Sequence, residues 1–99
     1  MKLALFARLE AKPGKEKEVA DLLRQGLALA NQEATTLMWF ALRLGPSTFA
    51  IFDAFGDEDG RQRHLNGPIA QALMAQAAVL FTALPAIEPL EVLGAKLPA

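Results

Sequence analysis

The chain is 99 residues long, carries a formal net charge of −1 and contains no cysteine. That length allows one domain, residues 1–99, with a modest core. The scattered, balanced charge excludes nucleic acid as a partner, and the lack of cysteine excludes disulfides and thiol chemistry. Hydrophobic types make up 53% of the residues, and with glycine added the share exceeds the roughly 45–50% usual for soluble domains. A small domain has little interior in which to hide them, so an exposed apolar patch is expected, as an interface or a ligand cavity.

Residues 3–10 (LALFARLE) alternate as a strand, with Leu3, Leu5, Ala7 and Leu9 on one side and Ala4, Phe6 and Arg8 on the other. The start MKL leads straight into this strand, so neither a signal peptide nor a membrane span is expected, and the cytoplasm is the expected location. Pro13-Gly14 turns the chain. Val19, Leu22, Leu23, Leu27 and Ala30 then recur at helical spacing, to an end near Asn31 or Gln32. Gly26 costs such a helix about 1 kcal/mol against alanine and marks close packing on the sheet.

Residues 37–55 read as a hairpin, two apolar runs flanking Gly-Pro-Ser. Setting Leu44 opposite Phe49 pairs Phe40 with Asp53 and Met38 with Phe55. One face then holds Met38, Phe40, Leu42, Phe49, Ile51 and Phe55 around a lone acid, Asp53. The other holds Trp39, Arg43 and Phe52. Both faces are apolar, so both should be covered, one by helices and the other by a second subunit. Asp57 suits a helix N-cap, and the helix it opens carries Arg61, Arg63 and His64. Pro68 suits the first turn of a second helix, with Ile69, Leu73, Ala77 and Leu80 or Phe81 on one stripe and Pro85 at its end. Residues 87–97 form a last strand, which Pro89 places at an edge or a crossover. The order β-α-β-β-α-α-β is an α+β, ferredoxin-like arrangement with one open sheet face. Two such sheets packed face to face make a dimeric α+β barrel.

Three segments taken together resemble the antibiotic biosynthesis monooxygenase-like family of dimeric α+β barrel proteins, which includes the quinol monooxygenase type. ARLEAKPGKEKEVADLL is similar to its first strand, Pro-Gly turn and first helix. FAIFDAF is similar to its third strand, with Asp53 and Phe55 as the terminal acid and aromatic. RHLNGPIAQAL is similar to its His-Leu pair followed by a small residue and proline. The resemblance implies homodimers with a pocket between sheet and helices. It also implies, in some members, oxidation of phenols or quinols by O2 with neither metal nor flavin. The haem-degrading branch places asparagine, tryptophan and histidine where this chain has Ala7, His64 and Met74, so a haem enzyme is rejected.

Within that frame His64, the single histidine, is the candidate general base, removing a phenolic proton so that the anion can react with O2. The alternative is a half-buried histidine that caps or packs. Asp53, on an apolar face, must be paired or neutral. It orients His64, hydrogen-bonds a substrate hydroxyl or pairs with Arg61 or Arg63, and the structural pairing is favoured. Phe40, Phe49, Phe55 and Phe81 are the expected pocket lining. Trp39, Phe52 and Arg43 are the expected dimer interface. One histidine without clustered ligands builds no zinc site, so no metal or other cofactor is expected. The expected function is cofactor-independent monooxygenation of a small aromatic quinol or phenol. The alternative is a non-catalytic, dimeric ligand-binding or stress-associated domain.

Overall fold

The computed structural model describes residues 1–98. The elements run β1 (Leu3–Glu10), α1 (Glu16–Ala30), β2 (Thr36–Arg43), β3 (Thr48–Phe55), α2 (Glu58–Leu65), α3 (Pro68–Leu80) and β4 (Ala86–Glu91). The strands form one antiparallel sheet in the order β2-β3-β1-β4. Helix α1 crosses from β1 to β2, and α2 with α3 crosses from β3 to β4. This is the expected ferredoxin-like α+β arrangement.

Local chemistry explains the boundaries. Gly14 takes φ +84°, a left-handed conformation that glycine adopts without strain, and so turns β1 into α1. Asp57 caps α2, its carboxylate accepting from the Gly60 N–H at 2.9 Å. Pro68 opens α3, whose buried stripe is Ile69, Leu73, Ala77 and Leu80. That helix stops at Leu80 rather than at Pro85. Phe81 turns extended, bridges to Ala11 and enters the core at 2% exposure. Burial of a large aromatic there outweighs another helical turn.

The last strand is shorter than expected and ends at Glu91. It is an edge strand, as Pro89 requires. Val92 N–H donates to Lys2 O at 2.8 Å. With Leu5 opposite Pro89 and Ala4 opposite Leu90, the alternation of an antiparallel ladder makes Leu5–Pro89 a non-hydrogen-bonded pair. The Pro89 nitrogen therefore faces outward, where no ladder bond is lost.

The hairpin register corrects one expectation. Arg43 pairs with Phe49, Ala41 with Ile51, Phe40 with Phe52 and Trp39 with Asp53. Thr48 O accepts from both Leu44 N–H (2.8 Å) and Gly45 N–H (3.2 Å), which closes the loop one residue sooner than expected. Ser47 and Thr48 hydroxyls both donate to Glu10 at 2.5 Å and hold this closure. A one-residue shift turns every side chain of a strand to the opposite face. Trp39 and Arg43 therefore lie on the helix side with Asp53, and Phe40 on the open side with Phe52. The assignment of β3 stands: Phe49, Ile51, Asp53 and Phe55 are buried beneath the helices.

The open face carries Phe6, Met38, Phe40, Leu42 and Phe52. Phe40 is 45% exposed and Leu42 37%. The Phe40 and Phe52 rings lie 6.4 Å apart.

Candidate functional site

Two features sit side by side on the helix-covered face: a buried ionic chain and an apolar cleft. The ionic chain centres on His64, in the last turn of α2. Its Nε2 lies 2.8 Å from Asp53 Oδ2 and its Nδ1 2.6 Å from Glu33 Oε1. Asp53 comes from the middle of β3 and Glu33 from the loop between α1 and β2. Thr36 Oγ1 donates to the same Glu33 oxygen at 2.7 Å. The Phe55 ring packs on the imidazole with centroids 5.4 Å apart. Asp53 is 2% exposed and His64 7%.

Carboxylates at both ring nitrogens favour the doubly protonated imidazolium, which donates one N–H toward each. Burial by itself drives the imidazole toward neutrality. The hydrogen bonds to Asp53 and Glu33, with the charges of both, outweigh burial and raise the pKa above 6.5. A group whose folded pKa is raised gives stability that is complete below its unfolded pKa and is lost as pH climbs through the folded value. Unfolding free energy is therefore expected to fall as pH rises from about 6.5, and this part of the slope to vanish in His64→Gln. Urea midpoints measured from pH 6 to pH 9 on both proteins check it.

Asp53 pairs with neither arginine proposed for it. Arg61 bonds Glu58 at 2.5 Å and reaches the Ala4 and Leu90 carbonyls, and Arg63 bonds Asp59 at 3.0 Å. Both arginines lie on α2 within i,i+3 or i,i+4 reach of those acids, while His64 takes the Asp53 oxygen. Glu33 and Asp53 occupy opposite ends of the ring and do not converge on one point. Among the described residues no group of three or more histidine and acidic side chains is arranged to hold a metal ion.

The cleft lies between α1, α3 and β2. Leu22, Gln25 and Gly26 line it from α1, Trp39 from β2, and Ile69 and Ala72 from α3. Its free volume is about 90 Å³, well below the roughly 300–1,000 Å³ of pockets for drug-sized ligands. Gly26 sets its shape. A Cβ there would stand 3.2 Å from the Trp39 ring atoms Cζ2 and Cη2, so the close packing read from the sequence is with the indole. The indole N–H is buried without a partner, as are Asp53 Oδ1 and Glu33 Oε2.

The solved structure of NE2512, a protein of unknown function from Nitrosomonas europaea, is 64% identical to this chain. It superposes with a TM-score of 0.96 over 99% of this chain and 95% of that one. The chain belongs to the family of NE2512. Two more distant structures share the fold, each described as a "putative antibiotic biosynthesis monooxygenase". The one from Deinococcus radiodurans is 21% identical, with TM-score 0.80 over 98% of both chains. The one from Nitrosomonas europaea is 12% identical, with TM-score 0.82 over 93% of this chain and 99% of the other. The fold is thus that of the antibiotic biosynthesis monooxygenase-like proteins, as the sequence resemblance implied. No protein-family model matches the chain, and no curated protein does.

Of the residues singled out from the sequence, the fold brings His64, Asp53 and Phe55 together. Phe49, Phe55 and Phe81 are packed solid, each 2% exposed or less, and none of them lines the Trp39 cleft. Phe40 faces away from the helices. Arg43, on the helix side near the hairpin end, stacks over the Phe49 ring at 4.6 Å and donates to Pro46 O at 3.2 Å. Sequence reading missed Glu33 and misplaced Trp39. Strand β2 is apolar on both sides, so no residue in it marked the face that Trp39 takes.

Proposed function

We propose that this chain is a homodimeric protein that takes a small aromatic molecule, of the phenol or quinol class, into the Trp39 cleft. One observation carries this reading: both nitrogens of His64 are spent on the carboxylates of Asp53 and Glu33, whereas the neighbouring cleft is apolar and walled by the Trp39 ring. His64 then serves the fold. Dimerisation through the open sheet face is supported by Phe40, Leu42 and Phe52 standing together there, because contiguous apolar patches mark interaction surfaces. A cytoplasmic setting fits the cysteine-free composition.

A second reading, oxidation of the bound quinol or phenol by O2, is favoured by the names of the fold's distant relatives. In it the cleft excludes water and holds the electron-rich ring, and no residue of the ionic chain takes the proton.

Trp39 is the only tryptophan and the chain has no tyrosine, so indole fluorescence reports the cleft alone. Titration with single-ring quinols is expected to quench or shift that emission saturably and to raise the melting temperature. Unchanged emission and melting across the panel would defeat the binding reading. Oxygen uptake above the autoxidation blank, equal in wild type and a folded His64 variant, would establish the oxygenase. Uptake that collapses in that variant would restore His64 as the base.

A further inference from the structure

We propose that residues 92–98 form an arm that adds to the free β2 edge of a second copy, so that the two chains of a dimer clasp each other reciprocally. The inference rests on the homodimer reading above and names the segment that joins the copies.

The arm has no cover in its own chain. Beyond Glu91 the sequence VLGAKLP carries neither helix nor strand. Val92 N–H is still tied to Lys2 O, but β1 begins at Leu3, so the chain then runs past the end of the sheet. Leu93 is 91% exposed, the highest value among the large hydrophobic side chains described, and Leu97 is exposed as well. Leu93, Ala95 and Leu97 alternate with Gly94 and Lys96. That is the pattern of a strand with one apolar and one wet side.

The β2 edge offers the matching gap. Leu44 N–H bonds Thr48 O, and by the antiparallel alternation Leu42 and Phe40 also turn their backbone groups to β3. Trp39 and Ala41 therefore present an N–H and a C=O each at the free edge. Native edges are normally blunted by proline, charge or cover. Strand β4 carries Pro89 with Glu88 and Glu91, whereas β2 has no proline and its one charge, Arg43, stands at its end. Between this edge and α1 runs a groove of about 270 Å³, walled by Leu23, Arg24 and Leu27 of α1 and Trp39, Phe40 and Ala41 of β2. No residue of α3 lines it, so it is separate from the ligand cleft.

The occupant is the arm of a second copy rather than the chain's own. The strand order puts three spacings, about 14 Å, between β4 and β2 of one sheet. Crossing them would use about four of the seven residues and leave too few to pair. A two-fold axis along the strands reverses the strand order of the partner. Two sheets meeting through their open faces then bring each β4 over the other's β2, and the arm leaves β4 beside the groove. Phe40 belongs both to the open face and to the groove wall, so the two contacts are continuous.

The chain has no cysteine, so Lys96→Cys, on the wet side of the arm, takes a single nitroxide. The spin-labelled chain is mixed with wild type that is isotope-labelled for NMR. The Trp39 indole and Ala41 amide signals of the wild-type chain are expected to broaden. Leu93→Asp in the spin-labelled chain should remove the broadening, and made in both chains it should weaken the dimer about tenfold per arm, the scale of leaving one leucine in water. Leu93 touches no core of its own chain, so the variant keeps its fold. A dimer by sedimentation with no broadening would overturn the arm and leave the dimer reading standing. Broadening confined to chains that carry both labels would place the arm on its own sheet, and broadening that survives Leu93→Asp would show that the leucine does not dock. Either overturns the inference. A chain that sediments as a monomer at every concentration removes the dimer reading and the arm together.

Discussion

Replacing His64 with alanine is expected to cost the fold about 3–5 kcal/mol, the range for breaking a buried ion pair by removing one partner. The change removes the imidazole from between Asp53 and Glu33, 2.8 and 2.6 Å away, and leaves the buried Asp53 carboxylate without a donor and Glu33 with Thr36 alone. It also removes the ring that packs on Phe55. Domains of this size are stable by roughly 5–15 kcal/mol, so the loss is a large share of the whole. Urea unfolding at fixed protomer concentration measures it, since the proposed dimerisation would make apparent stability concentration-dependent. A loss below about 1 kcal/mol, within the range of ordinary surface substitutions and weak contacts, would mean that the ionic chain is not structural and would return His64 to the list of reactive groups.

Phe52→Glu is expected to divide the proposed dimer. Phe52 stands on β3, an interior strand, on the open side of the sheet beside Phe40. Two copies meeting through this face would each bring a carboxylate into the same apolar layer, and a buried unpaired charge is among the costliest changes an interface can suffer. A weakening of about a hundredfold or more, worth about 3 kcal/mol, is the expected scale. Sedimentation should then report the mass of one chain, 10.7 kDa, in place of twice that value. The helix-side core does not include Phe52, so the isolated chain should keep its circular dichroism. Trp39→Phe makes the complementary control, because the indole packs beneath α1 and its truncation should leave the mass unchanged. A Phe52→Glu protein that still sediments as a dimer would place the contact elsewhere.

The sequence was most readable where polar residues punctuate apolar ones. The Pro13-Gly14 turn, the Asp57 cap, Pro68 and the stripe Ile69, Leu73, Ala77 are each tied to a local physical cause, and the structure puts all of them in their expected roles. In β3 the single acid Asp53 marks one face, and that assignment is right. Strand β2 carries no such marker: LMWFAL is apolar on both sides, so its register depended on the turn alone, and the turn closes at Thr48. That one residue exchanged the places of Trp39 and Phe40.

Glu33 was illegible for a different reason. It follows a helix end, where an acid ordinarily faces water, and it meets His64 across 31 positions of chain. Nothing local announces a contact of that range. The same distance explains why His64 read as a free base: Asp53, on the strand just before α2, was weighed as its orienter, while Glu33 comes from a loop far back in the chain.

The outward nitrogen of Pro89 has a consequence for how this chain behaves when crowded. A sheet whose faces are apolar is at risk of templated fibril growth, in which a new strand docks on an exposed edge and repeats the ladder. At the β4 edge the growing ladder would meet a missing donor at Pro89, near the middle of a six-residue strand that also carries Glu88 and Glu91. Strand addition is interrupted there before it gains length. The chain can thus keep a sticky sheet face for a specific contact without offering β4 as a seed for amyloid.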